Sequence, residues 1–159
     1  MKNMFVLMFL LLSSSVFSNS IERPPQEAMQ SFVHLLCIEY QLPVEIVFRL
    51  IEWESGWNPL CVTRNPNNTF DIGLMKLNSR YLTDFKYRYN NGKSFDPKDW
   101  KKNAEIGIKH LAKLRELTGS MFGAVASYNM GLTAYRKWRN HERQMPEPTM
   151  KELEYVFQY

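Results

Sequence analysis

The chain has 159 residues, a formal net charge of +4, two cysteines and three histidines. That length suits one compact domain and hardly two. The charges are scattered instead of forming the basic stripe of a nucleic-acid binder, and His34, His110 and His141 are too dispersed for a zinc site.

In chain order, Lys2, the apolar run Met4 to Leu12 and the Ser-rich stretch ending Val16-Phe17-Ser18 read as a signal peptide over 1–18. Cleavage is expected after Ser18, with Ser20 as a second site and an uncleaved anchor as the alternative. Residues 19–159 then form one domain, exported to a bacterial periplasm or secreted. An oxidising compartment allows Cys37 and Cys61 to pair. Sequence leaves two readings open, a disulfide or two separate thiols. No later stretch is apolar enough to span a membrane.

Arg23-Pro24-Pro25 is an extended lead-in. A helix from about Gln26 to Tyr40 follows, with Met29, Phe32, Val33, Leu36 and Tyr40 on one side. Pro43 suits the first turn of the next helix, Val44 to Ser55, which Gly56 closes. Its apolar face carries Val44, Val47, Leu50 and Ile51; Glu45, Arg49 and Glu52 share the opposite one. Glu54 breaks the pattern, because it projects from the apolar side. A carboxylate there is costly unless paired, hydrogen-bonded or protonated, and a raised pKa is what a general acid needs near neutral pH.

Gly56 to Ile72 is polar and rich in Asn and Pro, a long loop with a short hairpin. Gly73 to Tyr81 starts apolar and turns helical near Ser79, and Lys86 to Asp99 reads as loop. Asp99 or Asp96-Pro97 opens a helix from Trp100 to Leu117, with an apolar stripe of Ile108, Leu111, Leu114 and Leu117 and Gly119 as its stop. Ser120 caps Met121 to Met130, where Phe122, Val125 and Ala126 face inward. Gly131 interrupts before Leu132, Tyr135 and Trp138, Met145 to Pro148 is a linker, and Met150 to Phe157 a last short helix. The fold class is mainly α.

Three separated motifs now converge. Glu54-Ser55-Gly56-Trp57-Asn58-Pro59 resembles the catalytic motif of the soluble lytic transglycosylases, Gly73-Leu74-Met75-Lys76 their second motif, and Ser127-Tyr128-Asn129-Met130-Gly131 their third. Asp96-Pro97, with Asn103, Gly107 and Leu111, matches a run between the last two. The likeness covers about Phe32 to Trp138. It implies a lysozyme-like α-helical domain with a small loop or hairpin region beside a cleft. It also implies cleavage of the β-1,4 bond between N-acetylmuramic acid and N-acetylglucosamine, leaving a 1,6-anhydro end. Glu54 matches the single acid/base, and Tyr128 and Asn129 match cleft-lining residues. Ser55, Asp71, Met75 and Lys76 are read as substrate-binding beside them. No metal and no cofactor are implied. The expected partner is peptidoglycan, with a secretion, conjugation or flagellar assembly as a second one; the chain is expected to be a monomer. One position departs from the family: Lys76 stands where glutamine is usual, which bears on how that subsite reads the sugar's acetamido group.

Asp71 keeps a second reading open. It follows Glu54 by seventeen residues, and with Ile72-Gly73 and Asn78-Ser79-Arg80-Tyr81 it resembles animal-type lysozymes, which hydrolyse the same bond with two carboxylates. A non-catalytic glycan-binding domain is the third reading, against which a carboxyl kept on an apolar face argues.

Overall fold

The computed structural model describes residues 23–158, so the expected leader lies outside the described residues. Helix α1 spans Gln26–Glu39 and α2 Val44–Ser55. Three short antiparallel strands follow, β1 (Val62–Arg64), β2 (Phe70–Ile72) and β3 (Leu77–Asn78), in the spatial order β1-β2-β3. Ile72 faces Val62 on one side and Leu77 on the other, and Asp71 faces Asn78. A 3-10 turn at Ser79–Tyr81 leads into α3 (Leu82–Tyr89). The rest is helical: α4 (Trp100–Thr118), α5 (Met121–Met130), α6 (Leu132–Arg139) and α7 (Glu147–Val156). The chain is therefore mainly α, with β1 and β2 forming a hairpin within the polar Gly56 to Ile72 stretch and β3 added from the Gly73 to Tyr81 stretch beyond it.

The ends follow local chemistry. The Asp99 carboxylate accepts the backbone N–H groups of Lys101 and Lys102 at the start of α4, and the Ser120 hydroxyl accepts that of Gly123 at the start of α5. Each satisfies donors that the first helical turn leaves unpaired. Gly56 ends α2 and Gly119 ends α4 in the left-handed conformation, with φ of 57° and 75°, where a side chain would be strained.

Helix α4 is the centre of the core. Ala104, Ile106, Gly107, Ile108, Leu111 and Leu114 are buried along it, and α1, α3 and α5 pack around it. Leu117 and Phe122, expected inside, are 43% and 40% exposed. Leu117 lies in the last turn of α4, which has left the core, and Phe122 caps the edge of the bundle against Trp138 and Phe157. Trp57 is 2% exposed and packs edge-on against Phe48, with centroids 5.1 Å apart. It is core, with no face left for a sugar.

Two other expectations are corrected, and of the two cysteine readings left open the structure shows the separate thiols. The loop expected from Lys86 begins as α3, held by one buried anchor, Phe85, against Tyr89 and His110. The linker expected up to Pro148 already contains the first turn of α7, where a proline costs no hydrogen bond. Cys37 and Cys61 form no disulfide: Cys37 sits fully buried in α1, Cys61 half-buried in the loop before β1, and both thiols are free. Burial, then the charge of Glu45, pushes the Cys37 thiol up to about 11, so it packs as a neutral apolar group.

Asn103 of α4 ties the sheet region to this core. It is fully buried; its Oδ1 accepts the Met75 N–H at 2.7 Å, and its Nδ2 donates to the carbonyls of Ile72 and Pro97, each at 2.8 Å. Gly73 touches the same amide: a Cβ there would stand 2.7 Å from both Asn103 Cγ and the Pro97 oxygen. Removing the amide strands one donor and two acceptors away from water. Asn103→Ala should therefore lower folding stability by about 3 kcal/mol, read as a drop in the urea midpoint at unchanged slope. A midpoint near that of the wild type would contradict this role.

Candidate active site

Glu54 lies in the last turn of α2, one helical residue before the chain turns away at Gly56. Its half-buried side chain lines an open cavity of about 1140 Å³. One wall of the cavity comes from the strands, with Asp71, Lys76 and Asn78. A second comes from α3 and α4, with Tyr89 and His110, and a third from α5 and α6, with Tyr128, Asn129 and Leu132. The structure thus brings Glu54, Asp71, Lys76, Tyr128 and Asn129 to one groove.

The environment of Glu54 pushes its carboxyl up to about 7. Burial is the main cause, since the charged form loses its water. The Lys76 ammonium pulls the other way, and the Asp71 carboxylate adds to the rise. At neutral pH the group is thus poised between acid and base, the condition under which one residue can give a proton and take it back.

Asp71, on β2, is held by its cross-strand partner: Asn78 Nδ2 donates to Asp71 Oδ1 at 2.7 Å. Lys76 follows the Gly73 turn with a left-handed φ of 49°, and its Nζ donates to the Thr63 hydroxyl on β1 at 2.7 Å. The ammonium is therefore fixed on the sheet instead of waving in solvent, and from there its charge reaches Glu54. The Tyr128 hydroxyl donates to the Met75 carbonyl at 2.7 Å, so in this arrangement it clamps the second motif and does not bond Glu54. Burial and then the Glu54 charge raise this phenol well above its usual range, so it stays a donor. Asn129 Oδ1 accepts the Thr149 hydroxyl from α7 at 2.6 Å.

Ser55 and Met75 stand outside the cavity lining. The Ser55 hydroxyl donates to the Leu74 carbonyl at 2.7 Å. Met75 is fully buried, packed so closely on Gly107 that a Cβ there would lie 2.6 Å from the methionine sulfur. Both build the second motif; neither presents its side chain to the groove.

Two groups were not singled out from sequence. His110 lies on the groove wall with its Nδ1 2.9 Å from the Tyr89 hydroxyl and its ring 5.6 Å from that of Tyr128. Burial, then the charge of Arg88, pushes it down to about 4, so it is neutral. Glu152, on α7, is fully buried, and among the described residues neither carboxyl oxygen has a partner in hydrogen-bond geometry. Burial and then the charge of Glu54 push it up to about 9, with the Asn129 amide pulling the other way. Its signal was in the spacing: Thr149, Glu152, Leu153 and Val156 form one buried stripe, so Glu152 breaks an apolar face as Glu54 does. Among the described residues no cluster of His, Cys, Asp or Glu is arranged to hold a metal ion.

A family model described as the transglycosylase SLT domain matches residues 38–150. No curated protein matches the chain.

The raised carboxyl of Glu54 has a thermodynamic signature. Its ordinary value is 4.5 and its folded value about 7. Between the two, the folded chain binds more protons than the unfolded one, so stability falls as pH rises through that window. Glu54→Gln removes the term. The variant should melt at higher temperature than the wild type above about pH 7, with the gap closing below about pH 4.5. Equal melting temperatures at both ends would show that the carboxyl is not desolvated.

Proposed function

The chain belongs to the transglycosylase SLT domain family, and from that premise we propose that it is a peptidoglycan lytic transglycosylase working with Glu54 alone as acid and base. The observation that carries this reading is the desolvated Glu54 carboxyl, half-buried in a groove and balanced near neutrality. The protonated carboxyl gives its proton to the glycosidic oxygen, and the C1–O bond to the leaving N-acetylglucosamine breaks. The resulting carboxylate takes the proton from the C6 hydroxyl of the N-acetylmuramic acid, whose oxygen closes on C1. The product is a 1,6-anhydro sugar, Glu54 regains its proton, and no water is consumed. The nucleophile is part of the substrate, so its effective concentration is high and no second carboxylate is needed.

In this reading Asp71 acts through charge. Held by Asn78, it raises the Glu54 carboxyl, while Lys76 opposes it. The same placement supports the competing reading, in which Asp71 and Glu54 hydrolyse the bond as a retaining pair. The products separate the two. A transglycosylase releases muropeptides with anhydro ends, lighter by one water than the reducing ends of a hydrolase, and intact sacculi that are merely retained would indicate a binder.

Glu54→Gln should lower release of anhydro muropeptides from purified sacculi by about a thousandfold, within the range of a lost general acid/base. Activity near the wild-type level would remove Glu54 from the reaction. Lys76→Gln tests the electrostatic balance. Without the ammonium the Glu54 carboxyl rises, so the alkaline limb of kcat/KM should move to higher pH; a limb that stays in place would show that Lys76 does not reach Glu54.

A further inference from the structure

Glu152 is a buried carboxyl that the fold leaves without compensation. It is 0% exposed, and among the described residues neither oxygen has a partner in hydrogen-bond geometry, the Asn129 amide being the polar neighbour that acts on it; such a condition costs stability and natural structures rarely keep it without a use. It sits on α7, which packs on both α2, the bearer of Glu54, and α5, the bearer of Tyr128 and Asn129. The Thr149 hydroxyl, one turn before Glu152, holds Asn129 Oδ1 at 2.6 Å and so fixes α7 to the groove wall. Glu54 acts on Glu152 from α2 and the Asn129 amide acts on it from α5, the neutral phenol of Tyr128 feels both carboxyls, and Asp71 and Lys76 act on Glu54 from the strand side. The matched family region ends at residue 150, two residues short of Glu152.

We propose that Glu152 is a positioning residue, a protonated carboxyl behind the groove whose uncommitted O–H turns to Glu54 and stabilises the negative charge that develops there as Glu54 gives up its proton. This rests on the reading of Glu54 as the general acid. A buried carboxyl with no cation paired to it stays neutral, and a neutral carboxyl has a proton to donate. No acceptor among the described residues holds that proton in the resting arrangement. When Glu54 releases its own proton to the glycosidic oxygen, it becomes a desolvated anion, the species that gains most from a nearby fixed donor. The Glu152 proton is shared in a hydrogen bond and is not transferred, so the balance of the reaction is unchanged.

The test compares Glu152→Leu, which has no donor, with Glu152→Gln, which keeps one in its amide. A purely structural role and this one diverge on stability. Leucine replaces an unsatisfied polar group with an apolar one of similar size, so Glu152→Leu should melt at or above the wild-type temperature. It should nevertheless lose about tenfold in kcat on sacculi, with KM within about twofold, and its alkaline limb should move up by about one pH unit, because the Glu54 anion has lost its donor. Glu152→Gln should keep the wild-type limb and most of the rate. Unchanged kcat and unchanged limb in Glu152→Leu would overturn the assignment. So would a loss of activity that follows a fall in melting temperature in either variant. Wild-type protein that releases no anhydro product would instead overturn the reading of Glu54 and the function built on it.

Discussion

The constraint on which the structure depends is the removal of one carboxyl, that of Glu54, from water. A helix end is an ordinary place for a glutamate; a helix end facing a walled groove is not. The walls exist because a short segment, Ile72 to Lys76, is held across the mouth of α2 by side chains from three helices. Ser55 of α2 donates to the Leu74 carbonyl, Asn103 of α4 bonds Ile72 and Met75, and Tyr128 of α5 donates to the Met75 carbonyl. Each sequence motif thus contributes one bond to the second motif, and their spacing along the chain is resolved into a single junction in space. Met75 sinks into the notch left by Gly107, so the junction rests directly on the central helix.

Around that junction the electrostatics are arranged in opposition. Burial and Asp71 raise the Glu54 carboxyl, and Lys76 lowers it. Three further groups are kept neutral: Tyr128 as a phenol, His110 as an imidazole, Glu152 as an acid. One mobile proton between opposed charges is what a single acid/base requires, because an unopposed cation in contact would trap the carboxylate and an unopposed anion in contact would trap the acid.

Most of the helical frame was legible in the sequence. The Val44 to Ser55 helix, its glycine stop, the Ser120 cap and the Gly131 break were all readable, because each rests on local chemistry that tertiary packing did not override. The apolar spacing of α2 also exposed Glu54 as an exception. What was missed depended on distant partners. Helix α3 carries one buried residue, Phe85, and gains its shape from Tyr89 and His110 packing across to α4. Trp57, Ser55 and Met75 belong to recognisable motifs, yet the motif does not say which side of the backbone faces the groove; in the structure these three face the core or the backbone. Glu152 was readable by the argument that found Glu54. Its helix was expected three residues too late, with Thr149 left outside it, and that hid the stripe.

The central claim concerns the ionisation of one group, and a direct titration tests it. In protein labelled at the carboxyl carbons of glutamate, NMR spectra recorded across pH should show one resonance that titrates near 7 and vanishes in Glu54→Gln. If the resonance lost in that variant titrates at the ordinary value near 4.5, Glu54 is an exposed carboxylate and the account of a desolvated acid is wrong.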